Sequence, residues 1–238
     1  MRWTSLTILG MLVAPVAVPA AADVLIVRAI GPSASKFAPG KSLPDSAHIA
    51  LAANDQIVLL DAHGTRTLRG PGRFAATGQS GAATSIGLLA SAGTDRRSRI
   101  GAVRGLAVLS GPQQRPNIWF VDTGASGATC LADPTVATLW RSSIDRGGDA
   151  TIVTDGGANA KLSWIKGQST QPWPASVPIR NGASYRIGGV DAATAATTIT
   201  LHVLKAPPGD MQGLAQALIG ENCQAQLDVL IATDSNGG

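Results

Sequence analysis

Along most of this chain, apolar and polar residues alternate over short runs, and clusters of Gly, Pro, Asn and Asp separate the runs. Alternation with a period of two predicts half-buried strands, and the clusters predict turns. The first run is VLIVRAIG, built on Val24, Leu25, Ile26 and Val27. A loop rich in Pro, Ser and Lys over 32–45 leads to three more, 49–52, 56–60 and 65–68, with turns at Asn54-Asp55 and His63-Gly64. Three short strands joined by short turns predict a meander, whose apolar face needs a second layer to cover it. Gly70-Pro71-Gly72 predicts a break in the sheet, because the glycines permit positive φ and proline lacks a ladder donor.

Strand signals return at Asn117. NIWFV, ATLWR, ATIVT, KLSWI, ASYRI and TTITLHVL follow at intervals of roughly ten to twenty residues, a cadence that predicts a small β-sandwich. In the last run Thr198, Thr200 and His202 alternate with Ile199, Leu201 and Val203, which predicts one wet face. Pro207-Pro208-Gly209 ends the sheet. Asp210 is placed to cap a helix carrying Met211, Leu214, Leu218 and Ile219, with Gly220 as its stop, and Asn222 to cap a second carrying Leu227, Leu230 and Ile231. The expected fold is mainly β: a β module over 23–75, a linker over 76–115, a Trp-rich β-sandwich over 116–206 and a short helical tail over 207–238. In the linker, 76–95 are small and polar around Ile86, Leu88 and Leu89, enough for one weak helix or none.

The first 22 residues bear on compartment. Arg2 precedes an apolar run from Leu6 to Val18, and Ala20-Ala21-Ala22 supplies a small-residue cleavage site before Asp23, the pattern of a signal peptide. Gly10, Pro15 and Pro19 interrupt the run, which is shorter than the ~20 residues of a membrane span. The expectation is a periplasmic or secreted chain with no transmembrane segment after cleavage. The two cysteines, Cys130 and Cys223, are then expected to form a disulfide that ties the helical tail to the loop after NIWFV.

The order PGKSLPDSAHIALAANDQIVLLDAHGTRTLRGPGRF resembles the FecR-type periplasmic domain. A Pro-Gly lead-in precedes a strand, D-x-x-G-T makes the next turn and L-x-G-P-G-x-F closes the repeat. The resemblance spans 23–75 and implies a β-rich envelope domain that binds or transmits a signal; it carries over no catalytic residue. A second, local resemblance lies at Asp122-Thr123-Gly124-Ala125-Ser126, which is similar to the D-T-G-A-S of retropepsin-like aspartic peptidases. It implies Asp122 as a catalytic carboxylate sharing a proton with its symmetry mate in a homodimer, Gly124 permitting close backbone approach and Thr123 bracing the pair. Ala217-Leu218-Ile219-Gly220 resembles that family's apolar-apolar-Gly element. Trp119 and Phe120, however, stand where smaller aliphatics are usual, and Asp155-Gly156-Gly157 lacks the Thr of a second lobe. The plainer reading of 122–126 is a turn at the end of a strand.

A net charge of +4 and a pI near 9.5 raise the question of anionic partners. The bases are dispersed except for Arg96, Arg97, Arg99 and Arg104, and one Tyr with three Phe leaves little on which to stack bases, so nucleic acid is not an expected partner. Arg96, Arg97 and Arg99 are candidates for an acidic partner or membrane surface, with a solvated linker face as the simpler alternative. Trp140, Trp164 and Trp173, with Trp119, are expected as core anchors; exposed and coplanar rings would instead make a carbohydrate-binding face. His48, His63 and His202 are far apart, and no H-E-x-x-H, G-x-S-x-G or phosphate loop occurs, so no metal or cofactor is expected. The functional expectation is a non-catalytic sensor or scaffold of the bacterial envelope with a protein partner. The alternatives are the Asp122 peptidase and a carbohydrate-binding module.

Overall fold

The structure, a computed structural model, describes residues 23–77, 115–189 and 196–235. Residues 1–22, expected as a signal peptide, all but the first two residues of the weak-helix segment 76–95, and Arg96, Arg97, Arg99 and Arg104 lie outside the described residues. The fold is mainly β, with four sheets and two short C-terminal helices.

The N-terminal half supplies β1 (Val24–Ile30), β2 (Ser42–Leu43), β3 (His48–Leu51), β4 (Gln56–Asp61), β5 (Gly64–Arg69) and β6 (Gly72–Ala75). They do not form a single meander. The order β2-β1-β4-β5 makes one antiparallel sheet, while β3 pairs with β6 in a separate ribbon. The chain changes sheets at Asn54-Asp55. Asn54 takes a left-handed φ of 67°, which asparagine tolerates. Asp55, only 2% exposed, accepts the Ser33 N–H at 2.9 Å and the Ala52 N–H at 2.6 Å, and its own carbonyl accepts the Gly70 N–H at 2.9 Å. One carboxylate thus fastens the loop after β1, the end of β3 and the start of β4. Gly31 sits against it at a φ of 112°, where an added Cβ would lie 2.6 Å from the Asp55 carboxylate. Gly70-Pro71-Gly72, expected as a break, is the crossing back from β5 to the ribbon, and a Cβ on Gly70 would overlap the Ala52 carbonyl.

The C-terminal half supplies β7 (Val121–Asp122), β8 (Gly127–Leu131), β9 (Thr138–Trp140), β10 (Gly148–Thr154), β11 (Asn159–Trp164), β12 (Thr170–Pro172), β13 (Ala183–Gly188) and β14 (Thr197–Val203). A five-stranded sheet, β11-β10-β13-β14-β8, faces a three-stranded one, β12-β9-β7, around a core that includes Leu139, Ile152, Leu162, Tyr185 and Ile199. This is the expected sandwich, with Ile199 and Leu201 inward and Thr198 exposed. Two boundaries differ. NIWFV is a strand only at its end, because the Asn117 side chain accepts the Trp119 N–H and its carbonyl the Phe120 N–H, folding 117–120 into a turn. Cys130 lies in β8, paired parallel with β14, and not in a loop.

Asp210 caps α1 (Met211–Gly220) by accepting the Gly213 N–H at 2.7 Å, as its position predicts. Asn222 does not begin α2 (Gln224–Ser235). It ends α1, in a left-handed conformation with φ of 57°, donating its N–H to the Ile219 carbonyl while the Cys223 N–H reaches the Leu218 carbonyl. That pair of bonds is a Schellman stop with Asn in the place usually taken by Gly. The helices are no free tail. Ala215, Leu218 and Leu227 pack with Leu25, Val27, Val58 and Leu60 of the N-terminal sheet and with Cys130 and Cys223. The opposite face of the same sheet, Val24, Ile26, Ile57 and Leu59, packs on the β3–β6 ribbon. Both ends of the described chain therefore share one core.

The join to the sandwich is made by α2. Gln226, 1% exposed, accepts the Cys130 N–H at 2.6 Å and donates to the Cys130 and Ile118 carbonyls at 2.8 and 2.7 Å. Beside it the Cys130–Cys223 disulfide closes a loop of 93 residues, on the order of 4 kcal/mol in the chain-entropy account. Replacing Gln226 with Leu leaves those buried backbone groups without partners and is expected to cost about 3 kcal/mol in urea unfolding. Gln224→Ala, on an exposed position of the same helix, is expected to stay within about 0.5 kcal/mol.

A second expectation follows from Asp55. The Ser33 N–H first, then the Ser33 side chain and the Ala52 N–H, hold its carboxyl below the ordinary carboxylate range against the opposing effect of burial. A depressed folded value means the stabilisation is complete above the unfolded value of 3.8 and is lost as pH falls from there through the folded value. Asp55→Asn is expected to lower the melting temperature at neutral pH, and the gap to the parent protein should narrow on acidification below that value.

Candidate functional site

The peptidase-like segment begins where β7 ends. Short β7 pairs parallel to β9, setting Val121 against Leu139 and Asp122 against Trp140. Asp122 accepts the Gly124 N–H at 2.8 Å, closing a turn. Its other oxygen lies 3.7 Å from Arg115, whose side chain is nearly buried; burial lowers the guanidinium below its ordinary value, and Asp122 acts in the opposite direction. Arg115 also reaches the Phe120 carbonyl. Within this chain the neighbour of the Asp122 carboxylate is thus a cation.

Thr123 is more deeply engaged than Asp122. Bracing a dimer requires its side chain to reach a second subunit, but Thr123 is 3% exposed and its hydroxyl donates to the Trp140 carbonyl at 3.1 Å. Its N–H goes to the same carbonyl, and its own carbonyl accepts the Thr197 hydroxyl at 2.9 Å. Ser126 accepts the Thr198 N–H at 3.1 Å. Together 122–126 stitch β7, β9 and β14 at one end of the sandwich. Leu218, Ile219 and Gly220 belong to α1, and Leu218 packs against the N-terminal sheet.

The tryptophans divide. Trp140 and Trp164 are 4% and 3% exposed and belong to the interior, the place expected of core anchors. The Arg141 guanidinium stacks 5.0 Å from the centre of the Trp164 ring and donates to the Ile165 and Gln168 carbonyls at 2.9 Å. Trp173 is half-buried, edge-on to Tyr185 at 5.0 Å, with its indole N–H on the Val177 carbonyl. Trp119 is half-buried against the helices. No two of these rings form an open coplanar pair among the described residues.

His48 and His63 are exposed on separate turns and strands, whereas His202 pairs with Glu221 at 2.7 Å. Among the described residues no three His, Cys, Asp or Glu side chains gather as metal ligands, and no helix is long and apolar enough to cross a membrane. Among the described residues are two shallow clefts. One, of about 300 Å³, lies between the β10–β11 turn at Asp155 and the approach to β13 at Arg180, with Ser184 and Tyr185 on its floor. The other, of about 420 Å³, separates Asp61 and His63 from Asp210 and Met211. No family model, curated protein or solved structure matches the chain.

Sequence reasoning missed Arg141 and Gln226, two polar side chains that organise buried backbone. Arg141 is the charged residue that ends the run ATLWR, and Gln226 stands three residues after Cys223 among apolar helix positions. A polar residue at an apolar-periodic position was the available signal. For Asp122 the structure gives an expectation for stability. Asp122→Asn keeps an acceptor for Gly124 but removes the charge that faces Arg115, and should cost less than Asp122→Ala, which loses both, about 1–2 kcal/mol by chemical denaturation.

Proposed function

We propose that this protein is a non-catalytic binding protein of the bacterial envelope, exported by its N-terminal segment and acting as a sensor or scaffold for a protein partner. The observation that carries the reading is the commitment of 122–126 to structure: Thr123 is buried and Asp122 is engaged by Gly124 and Arg115. That engagement supports reading Asp122-Thr123-Gly124 as a turn that ends β7. Support for signalling comes from the resemblance of 23–75 to FecR-type domains, and support for envelope localisation from the leader pattern and the disulfide.

The test has two arms. Peptide-library digestion from acid to neutral pH is expected to give no cleavage by the mature, disulfide-intact protein, and an Asp122→Asn sample should look the same. Cleavage that disappears in the variant would make the protein a peptidase. In the second arm, crosslinking in intact cells of a secreting bacterial host is expected to trap a discrete envelope protein. A chain that stays in the cytoplasm, or traps nothing, overturns the binding reading.

A further inference from the structure

The sheets of this protein end on strands of very different character. In the four-stranded sheet β2 is two residues long and β5 runs beside α2. In the three-stranded sheet β7 is two residues long and β12 ends on Pro172, which offers no N–H. In the five-stranded sheet β8 is closed by Gln226, whose amide occupies the Cys130 N–H and C=O. At the other end of that sheet lies β11, six residues long.

The direction in which β11 points its backbone is fixed by its register with β10. Thr154 donates to the Ala158 carbonyl just beyond the strands, so in an antiparallel ladder the pairs Ile152/Ala160, Ala150/Leu162 and Gly148/Trp164 exchange hydrogen bonds. The intervening residues Asn159, Lys161 and Ser163 aim their N–H and C=O groups away from β10. None of those groups has a partner among the described residues. Their side chains are exposed on the solvent face, while Ala160, Leu162 and Trp164 face the core. Beyond the strand, Ile165 is 71% exposed, a large apolar side chain at the end of the open edge.

The geometry points to β11 as the docking edge for an extended acidic peptide segment of the partner, added to the five-stranded sheet as a sixth strand. This rests on the binding reading above and names its surface. Lys161 specifies the charge. It is the only ionisable side chain in β11, and its partner Asp149 is itself exposed, so an incoming carboxylate opposite Lys161 competes in open solvent. Lys161 also argues against a second copy of this chain, since a two-fold pairing centred there would set it against its own like charge. Residues flanking the acid on the added strand would lie over Ala160 and Leu162 and should be apolar, extending the core by one strand.

The probe is the blocked heptapeptide Ser-Thr-Val-Glu-Val-Thr-Ser, whose sequence reads the same in both directions. Amide hydrogen exchange of the full mature protein is expected to slow at least about tenfold at Asn159, Lys161 and Ser163 on adding it, with Ala160 and Leu162 already protected and unchanged. Lys161→Pro removes an outward N–H that β10 does not use, and should abolish the effect with the ladder to β10 intact. Lys161→Glu keeps the backbone and is expected to reverse the preference toward the same peptide with Lys in place of Glu. The proposal is overturned by absent protection at saturating peptide, or by protection that grows with protein concentration alone, which would mean a second copy. It is overturned too if both Lys161 variants bind the Glu peptide as the parent does. Should Lys161→Pro still trap the same envelope protein in cells, binding stands and the edge is wrong; should the parent trap none, the binding reading itself fails.

Discussion

The side-chain amide of Gln226 meets the backbone of Cys130 as a neighbouring strand would, with an acceptor for its N–H and a donor for its C=O. A strand at the edge of a sheet carries a row of such groups, and burying them without partners costs on the order of 1–3 kcal/mol each. The helix that carries Gln226 could not lie against β8 without meeting that demand. Once it does, Cys223 is brought within bonding distance of Cys130, and the Asn222 stop that turns α1 into α2 sets both helices over the N-terminal sheet. The position of the module relative to the sandwich depends on this contact.

The consequence is that the chain is organised by layers more than by sequence order. The N-terminal sheet is the middle of three, with the β3–β6 ribbon on one face and the C-terminal helices on the other. A small sheet with only a ribbon to cover it would leave Leu25, Val27, Val58 and Leu60 in water; full burial of each is worth about 1.5–3 kcal/mol. Residues more than 150 positions away along the chain supply the missing layer, as in the contact of Leu218 and Leu227 with β1. The Arg28–Asp228 ion pair lies at the rim of the same contact and, being exposed, adds little.

Much of this was legible, and where it was not the reason is local. Alternation located every strand of the sandwich except β7, β8 and β12: an Asx turn at Asn117 shortened the first, GATCL is buried over three consecutive residues with no alternation, and TQP has only Pro172 beside two polar residues. The cap at Asp210 was readable because a carboxylate three residues before a free N–H is a short-range pattern. The stop at Asn222 was not, because Asn favours both the start of a helix and the left-handed end of one. The third layer had left a trace that the meander expectation overlooked. VLIV and IVLL are continuous apolar runs, and a strand covered on both faces loses its alternation. Neither run says what covers it. Contacts such as Gln226 on Cys130 span nearly a hundred residues and leave no periodicity to read.

The candidate site teaches a related point about carboxylates. Asp55, Asp122 and Asp210 all stand at the boundary of an element and all accept a backbone N–H two or three residues away. The bond is the same; what differs is the rest of the coordination. Asp55 adds the Ser33 N–H from a different loop and becomes a fastening between layers, Asp210 adds nothing and remains a cap, and Asp122 adds a nearly buried guanidinium. A D-T-G motif is therefore uninformative at its first residue, since an aspartate there makes a turn in any case. The second residue discriminates, because a threonine that braces another subunit must be open and one that ties its own strands must be closed. Thr123 is closed on both sides, by Trp140 through its hydroxyl and by Thr197 through its carbonyl, and in this chain it ties the end of β7 to β9 and β14.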